Sequence, residues 1–423
     1  MGLSISPGIA IQLSFCVLSA SSPGPLAFRP VAHEPGEGDR VHPGVRFGQA
    51  RPVTAGPKHH FFGYYGVSPW NPSETTMVGL ETEFQDRLPE PGEPATIGLI
   101  DVASAKWRPL TRTRAWNFQQ GCMLHWLDDR HIVFNDRRDG RLVSVIVDVS
   151  TGRERRVIDR PLAAVARSGK VGLAVNFARM GRIRKVVGVA GTTDRTARDL
   201  HPDDDGVWRV DLATGASQLI VSLDQFYRRR PLRPYMESEL WVNHVLINPD
   251  ATRFLALVRR SKGWHTMMFT AGLDGGDLRC VLPPWSGVSH FDWASPRRIL
   301  ATFRAEMRGR VGHYLFEDGQ KGFKRLGGGV LDYDGHCCVS PCGRWMITDS
   351  YPKTTRRLQQ LLLYDMKTGM YRVLGLYPQP ATCRKSVRCD LHPRWSPSGR
   401  QICFDSAHGP QRQVYVIDLD LPE

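Results

Sequence analysis

The sequence predicts an all-β fold: a seven-bladed β-propeller of four-stranded antiparallel blades. Two series of repeats in the chain indicate this fold. In the first series, a short apolar strand, a turn rich in Pro, Gly, Asp or Asn, and a second apolar strand with a polar end recur seven times. In the second series, a strand that closes on an acidic residue, often with Thr-Gly, follows each of these pairs. Four short strands in each repeat of about 40 to 60 residues are typical of a propeller.

The first strand of each repeat begins at a position that is often a histidine. In the last four repeats this column holds His244, His290, His336 and His392. In the three upstream repeats it holds Tyr64, Met123 and Leu162. One such histidine is more often a cap than a ligand. Four in register on consecutive blades indicate a shared site, because a buried imidazole costs hydrogen bonds without a packing gain over Val or Leu.

The last repeat stops after its third strand. We therefore expect a strand within residues 44–53, "GVRFGQARPV", to complete that blade and close the ring, because closure removes the exposed sheet edges. On this interpretation residues 44–423 form a single propeller domain. Residues 1–43 are then a leader rich in Pro and Gly, either flexible or a signal segment.

The leader and the cysteines bear on the location of the protein. The stretch "GIAIQLSFCVLSASS" has the apolar core of a signal peptide and small residues for cleavage after Ala20, but no Lys or Arg precedes it. Nine cysteines without a C-x-x-C pair favour a reducing compartment, and hence the cytoplasm. A signal peptide in residues 1–20 would instead favour the periplasm or secretion. No apolar run reaches the roughly 18 to 20 residues of a membrane span.

The chain is strongly basic, with a formal net charge of +14, which favours an anionic partner. In a propeller, the starts of first strands and the ends of second strands meet at one face. The histidine column would therefore share the funnel mouth with arginines at the blade corners. Guanidinium groups form paired hydrogen bonds with carboxylates and sulfates, so the arginines predict an anion-binding pocket at this face. Nucleic acid is a less suitable partner, because the basic residues form no continuous stripe with stacking aromatic residues.

Several motifs carry a resemblance to a known group of enzymes. They are the opening "HHFFGYY", the blades "SHFDW" and "DGHCCVSPCGRW", and the final "DLHPRWSPSGRQICFDS". Over residues 44–420 the chain resembles the seven-bladed propeller polysaccharide lyases of the oligogalacturonate lyase and ulvan lyase types, including the rhamnose-glucuronate lyase relatives. The resemblance implies a carbon-oxygen lyase that cleaves a uronic-acid-containing acidic oligo- or polysaccharide by β-elimination.

The resemblance also implies roles for individual residues. His60 is the candidate base and Tyr64 its base or acid partner, while Arg179 and Arg259 would neutralise the uronate carboxylate. The candidate substrate-binding residues are His59, Gln120, Arg137, Asn176, His244, Arg304 and Tyr351. The candidate metal ligands are His290, His336 and His392, which would bind one divalent ion, Mn, Zn or Ca. Leu80 and Glu81 stand where the ulvan type has a second histidine, so that acid and base pair is not carried over whole.

Two other functions stay open on the sequence. A non-catalytic carbohydrate- or protein-binding propeller, of the TolB-like or WD40-like kind, would keep the arginines but would not need the aligned His and Tyr residues. A glycosidase would need two carboxylates facing the funnel. The acidic residues available for that role are Glu81, Asp136, Asp349 and Asp405. Nothing in the sequence indicates an oligomeric state.

Overall fold

The computed structural model describes residues 40–229, 238–263, 265–353 and 355–422. Within these ranges 29 strands form seven antiparallel sheets, which confirms the predicted seven-bladed propeller. The signal-like stretch and the rest of residues 1–39 lie outside the described residues. No helix in the described part of the chain has the length and apolar character to cross a membrane.

The first three blades follow one another along the chain. Two short strands, β1 (Arg46–Phe47) and β2 (Arg51–Pro52), precede them. Blade 1 consists of β3 (His59–Phe61), β4 (Thr76–Thr82), β5 (Ala95–Asp101) and β6 (Lys106–Thr113). Blade 2 consists of β7 (His125–Trp126), β8 (His131–Arg138), β9 (Arg141–Asp148) and β10 (Glu154–Ile158). Blade 3 consists of β11 (Leu162–Val165), β12 (Val171–Ala174), β13 (Gly206–Asp211) and β14 (Ser217–Ser222).

The remaining blades continue the same meander of antiparallel neighbours. Blade 4 consists of β15 (Leu240–Ile247), β16 (Arg253–Arg260), β17 (Thr266–Gly272) and β18 (Arg279–Leu282). Blade 5 consists of β19 (Phe291–Trp293), β20 (Arg298–Phe303), β21 (Gly312–Glu317) and β22 (Lys324–Leu326). Blade 6 consists of β23 (Cys338–Val339), β24 (Trp345–Asp349), β25 (Leu358–Asp365) and β26 (Tyr371–Pro378). Blade 7 begins with β27 (Arg394–Trp395), β28 (Gln401–Ser406) and β29 (Gln413–Asp420).

Blade 7 is completed by the strands that precede blade 1. β29 pairs with β28 along one edge and with β1 and β2 along the other, with Arg46 opposite Asp420 and Arg51 opposite Val416. The predicted closure of the last blade by residues 44–53 is therefore confirmed. Residues 41 and 42, which we expected in the leader, contact blade 6, where the backbone N–H of His42 donates to the carbonyl of Tyr371 at 2.9 Å.

The turns between first and second strands explain the recurring Ser-Pro-x-Gly sequence. The backbone N–H of Gly343 donates to the carbonyl of Ser340 at 2.8 Å, and Gly399 bonds to Ser396 in the same way at 3.0 Å. Both glycines have a φ of 74°, in the left-handed region where a side chain is disfavoured. Each turn therefore reverses the chain tightly enough for the two strands to pair.

Blade strands bury both of their faces, because neighbouring blades pack face to face. On β16, Phe254, Ala256 and Val258 pack into one hydrophobic cluster, while Leu255 and Leu257 pack into another. Alternate residues of a strand point to opposite faces, so one strand supplies the cores on both sides of its blade. This explains why the central strands are apolar throughout and become polar only at their ends.

Blade 3 carries two short helices, α1 (Phe177–Ile183) and α2 (Leu223–Arg228). The side chain of Asn176 caps α1 by accepting the backbone N–H of Arg179 at 2.8 Å. The segment after α1 is held against blade 2, where the Asn117 side chain donates to the carbonyl of Gly188 at 3.3 Å. This insertion brings Arg184 and Val187 to the cavity described below.

Candidate active site

A cavity of about 500 Å³ opens where the first strands of blades 4 to 7 begin. We call it the histidine cavity. The predicted site residues that line it are Tyr64, Gln120, His244, Arg259, His290, Arg304, His336, Tyr351 and His392. Arg184, Asp334 and Arg388 also line it, although the sequence analysis did not single them out. A larger cavity of about 720 Å³ beside blade 3 is lined by Asn176, Arg160 and Trp208, but by no histidine.

His336, Asp390 and His392 form a cluster whose ligand atoms all lie within 4.8 Å of one another. The Nε2 atoms of His336 and His392 are 3.1 Å apart. All three residues are buried, and Asp390 Oδ1 has no hydrogen-bond partner among the described residues. Two imidazoles and a carboxylate suit a divalent transition metal, so the residues present fit a metal site.

The local backbone and a second carboxylate hold this cluster in place. His392 has a φ of 45°, a left-handed conformation that is costly for a residue with a side chain. Asp349 accepts the backbone N–H of both His336 and His392, at 2.8 and 3.1 Å. Its carboxylate also lies 2.9 Å from His336 Nδ1, and it raises the pKa of His336 although burial acts to lower it. Asp349 therefore orients His336 with Nε2 toward His392.

His290 is next to this cluster but has partners of its own. Its ring lies 4.1 Å from that of His336, centroid to centroid. Its Nδ1 is 2.8 Å from Asp334, and its Nε2 is 3.4 Å from the Tyr351 hydroxyl. We predicted His290 as a metal ligand and did not predict Asp390. The sequence signal for Asp390 is its spacing of two residues from His392, at which extended chain presents two side chains to one side.

His244 is on the other side of the cavity, with Tyr64 and Gln120. Its Nδ1 lies 2.8 Å from the Tyr64 hydroxyl and 3.1 Å from the Gln120 side-chain nitrogen. Burial lowers the pKa of His244 well below its usual value, and the positive charge of Arg259 lowers it further. The imidazole is therefore neutral near pH 7 and can accept a proton.

Arg259 is a buried cation that makes no ion pair with any described residue. Its exposed fraction is 9%, and its Nε has no hydrogen-bond partner among the described residues. Burial lowers the pKa of Arg259 to about 10, with a further contribution from the neighbouring Arg184. Because an uncompensated buried charge is costly, the arrangement favours an anion in the cavity.

His59 and His60, which we predicted in the site, do not line this cavity. His60 is buried between Gln413, 3.0 Å from its Nδ1, and Glu81, 3.2 Å from its Nε2. His59 Nδ1 accepts the backbone N–H of Arg412 at 3.2 Å. Both are on β3, where they join blade 1 to blade 7. The predicted base, His60, and the predicted substrate-binding residue, His59, therefore both lie outside the histidine cavity.

Arg179, Asn176 and Arg137 also lie outside this cavity. The Arg179 guanidinium is buried and donates to the carbonyl oxygens of Leu240, Thr196, Asp199 and Leu200 at 2.7 to 3.1 Å. Asn176 caps α1, and Arg137 donates to the carbonyl of Gly191. Sequence reasoning placed these residues at strand ends, whereas the insertion of blade 3 engages all three.

The four carboxylates considered for a glycosidase do not line the cavity either. Each has basic partners of its own. The pairs are Glu81 with Lys58 and His60, Asp136 with Arg138, Asp349 with His336, and Asp405 with Arg394. Among the described residues, no pair from this set faces the space beside His244.

No protein-family model matches the chain, and no curated protein matches it. Among solved structures, it is similar to an oligogalacturonate lyase in complex with manganese, with 16% identity and a TM-score of 0.63 over 89% of this chain and 96% of that one. It is similar to an oligogalacturonate lyase from Vibrio parahaemolyticus, with 13% identity and a TM-score of 0.63 over 90% and 97%. A prolyl endopeptidase matches at 11% identity and a TM-score of 0.51, over 86% of this chain and 50% of that one. At these identities the likeness establishes a shared propeller fold.

Proposed function

We propose that the histidine cavity binds a uronic-acid-containing acidic oligo- or polysaccharide and cleaves it by β-elimination. One observation carries this proposal: a neutral imidazole, His244, faces the same cavity as Arg259, a buried guanidinium without a carboxylate partner among the described residues. A base beside an anion-binding group is what proton removal next to a carboxylate requires. The shared fold with oligogalacturonate lyases supports the same class of reaction.

The reaction starts with the uronate carboxylate paired to Arg259. Pairing lowers the cost of removing the C5 proton, because the resulting negative charge spreads onto the carboxylate. His244 takes that proton. The electron pair of the C5–H bond forms the C4–C5 double bond, the C4–O4 bond breaks, and O4 leaves with the electrons of that bond.

His244 can act at Nε2 if Nδ1 carries its hydrogen. Nδ1–H would then donate to the Tyr64 hydroxyl oxygen, 2.8 Å away. In this tautomer the Gln120 amide would be turned so that Oε1, rather than Nε2, faces Nδ1 at 3.1 Å, because two N–H groups would otherwise face each other. Tyr64 and Gln120 are therefore assigned as orienting residues for the base.

Tyr351 is the candidate for returning a proton to O4. Burial raises its pKa well above the usual value, with a smaller contribution from Asp334, so the hydroxyl stays protonated until the leaving group needs it. His290 Nε2, 3.4 Å from this hydroxyl, would then reprotonate Tyr351. Acid and base are thus separate residues that line the same cavity.

A divalent metal ion would be held by His336, Asp390 and His392. As a Lewis acid it would add positive charge to neutralise a carboxylate. Manganese is the first ion to test, because one of the similar lyases is a manganese complex and the ligand types suit it. His290 is assigned to the proton path in this proposal.

A substrate panel tests the proposal. Purified protein is incubated with pectic, ulvan-type, gum-type and glycosaminoglycan oligosaccharides, with Mn²⁺ or with a chelator, and the near-ultraviolet absorbance of unsaturated uronate is followed. We expect product from at least one substrate, and a loss of kcat of about 10²- to 10⁴-fold in His244→Asn. His125→Asn is the matched control, because His125 is buried outside the cavity with its Nδ1 2.8 Å from the carbonyl of Met123. Binding of these glycans without any unsaturated product would instead identify a binding propeller.

A further inference from the structure

The first strand of blade 4 contains a β-bulge at the proposed base. Val242 and Val245 of β15 pair with residues of β16 that are only two positions apart, so the two residues between them face a single residue of that strand. These two residues are Asn243 and His244. Bulges re-aim side chains and are over-represented next to active sites, so this one draws attention to the neighbour of His244.

The bulge turns Asn243 and His244 to the same side of the strand. In a regular strand, consecutive side chains point to opposite faces, and residues three positions apart therefore do so as well. Val242 and Val245 instead pack into the same hydrophobic cluster, and the two residues between them both line the histidine cavity. The cavity wall thus presents two adjacent polar residues where a regular strand would present one.

Asn243 is buried, but its side-chain carbonyl has no partner. The residue is 2% exposed, and Oδ1 makes no hydrogen bond with any described residue. Its neighbour His244 has both Tyr64 and Gln120 within hydrogen-bond distance. A buried acceptor without a partner is costly, whereas an apolar side chain of similar size would avoid that cost. The position therefore suits a hydrogen bond that a ligand completes.

The partner that Oδ1 lacks is a hydrogen-bond donor. An ionised carboxylate offers only acceptors, and a guanidinium such as that of Arg259 suits it better than an amide oxygen does. The donors of a uronate ring are its hydroxyl groups, and a ring linked through C1 and O4 keeps them at C2 and C3. A hydroxyl also serves the amide in the turned orientation, because it accepts as well as donates.

We propose that Asn243 binds the C2 or C3 hydroxyl of the reacting uronate and is a specificity-determining residue of the histidine cavity. This inference rests on the proposed function, since it takes Arg259 and His244 as the groups that hold and deprotonate this ring. Three contacts then fix the ring: its carboxylate at Arg259, its C5 proton at His244 and one hydroxyl at Asn243. Such a site selects the configuration of the recognised carbon.

Methyl glycosides of uronates test this contact, because their O4 carries no sugar to be eliminated. The uronate that wild-type protein binds most tightly is compared with its 2-deoxy and 3-deoxy forms by ligand-observed NMR titration. We expect one of the two deoxy probes to bind about tenfold or more weakly. The two arms distinguish the C2 hydroxyl from the C3 hydroxyl. Equal Kd values for the three probes, or no binding of any uronate, overturn the inference.

Asn243→Leu assigns the difference to this side chain, and Asn243→Ala takes its place if the leucine variant does not fold. Either variant should bind the parent probe about tenfold more weakly and no longer distinguish the deoxy form. Asn248→Leu is the matched control on the same blade. Asn248 is also 2% exposed, but its Oδ1 accepts the backbone N–H of Thr252 and Arg253 at 2.9 Å. The control should keep the wild-type preference, and a preference that survives in Asn243→Leu overturns the inference.

Stability separates recognition of a ligand from a structural role. Asn243→Leu removes an acceptor that has no partner in the described part of the chain, so urea unfolding should show a free energy of unfolding no lower than that of wild type. Asn248→Leu loses two hydrogen bonds and should be less stable. An equal loss in the two variants would assign Asn243 to the fold and overturn the inference.

The assay for unsaturated uronate separates this inference from the proposed function. Product formation by a protein that binds all three probes equally would leave the lyase proposal standing without the Asn243 contact. A hydroxyl preference that Asn243→Leu removes, in a protein that forms no unsaturated product from any substrate, would support the contact and refute the lyase.

Discussion

The Nε2 atoms of His336 and His392 lie 3.1 Å apart, and each histidine comes two residues before the first strand of its blade. The two histidines are 56 positions apart in the chain, and each is oriented by Asp349. Two ring nitrogens this close must either share a proton or bind a common cation, because two lone pairs facing each other repel. Asp390, buried at the same place, favours the cation.

Removal of Asp390 should weaken metal binding. In Asp390→Asn we expect the affinity for Mn²⁺ to fall by about 100-fold or more, because one charged ligand is lost. In wild-type protein, Mn²⁺ at 100 times its Kd should stabilise the fold by about 2.7 kcal/mol, and the variant should lose this gain. Thermal unfolding with and without Mn²⁺ measures both effects. Asp128→Asn, on an exposed turn, is the control. An equal stabilisation of wild type and Asp390→Asn would contradict the assignment.

Replacement of Arg259 should shift the pH dependence of the proposed lyase activity. The base must be neutral, so kcat/KM falls as pH drops through the pKa of His244, which burial and the charge of Arg259 hold well below its usual value. In Arg259→Met the positive charge is gone, the pKa of His244 rises, and the acidic limb shifts to higher pH. Arg304→Met also changes the cavity lining and serves as the control. A limb that stays in place would argue against His244 as the base.

His313 should make the stability of the fold depend on pH. Its Nδ1 lies 3.2 Å from the carbonyl of Leu331, and its Nε2 lies 3.2 Å from the Thr348 hydroxyl. Both ring nitrogens of the neutral imidazole therefore have hydrogen-bond partners. Burial lowers the pKa of His313 to about 4. The unfolded chain therefore binds more protons, and stability declines as pH falls from about 6.5 toward 4.

Between pH 6.5 and 5 this decline should amount to about 2 kcal/mol for His313 alone. Urea unfolding of wild type and His313→Asn at both values measures it. We expect the variant to be less stable at pH 6.5 but to lose about 2 kcal/mol less on acidification. Parallel losses in the two proteins would show that His313 does not titrate as described.

The Asp405 side chain should contribute strongly to the stability of the closed ring. Its carboxylate pairs with Arg394 at 2.8 Å and accepts the backbone N–H of Gly63 at 2.9 Å, so it joins blade 7 to blade 1. Asp405→Ala leaves a buried guanidinium unpaired and should cost about 3 to 5 kcal/mol of unfolding free energy. Asp418→Ala, an exposed pair of β29 with Arg51, should cost about 1 kcal/mol or less. Chemical denaturation of the two variants compares them.

The fold could be predicted because its determinants are local and repeated. The turns at Gly343 and Gly399 follow directly from Ser-Pro-x-Gly, and the strand that closes blade 7 follows from a repeat that lacks its fourth strand. The histidine column also carried over to three dimensions, since equivalent positions of neighbouring blades meet around one axis. His244, His290, His336 and His392 all line one cavity.

The rest of the site depends on features that repeats do not encode. His60 is the middle residue of the three-residue strand β3. The direction of its side chain does not follow from the sequence, and in the structure it faces Glu81. Arg179 ends up bonded to carbonyl oxygens because an insertion folds around it. Arg184 reaches the cavity from that insertion, and Arg388 from the loop before β27. Long-range packing decides each of these positions.

The pairing of β1 and β2 with β29 makes ring formation an event that involves the two most distant segments of the propeller. During synthesis, six blades can leave the ribosome while β1 and β2 still lack their partner strand, and while blades 1 and 6 each still lack a neighbour on one face. This exposure ends only when β29 emerges and pairs with β1 and β2. Nascent chains stalled before this strand should therefore depend on chaperones, whereas the finished molecule should resist separation of any one blade from its neighbours.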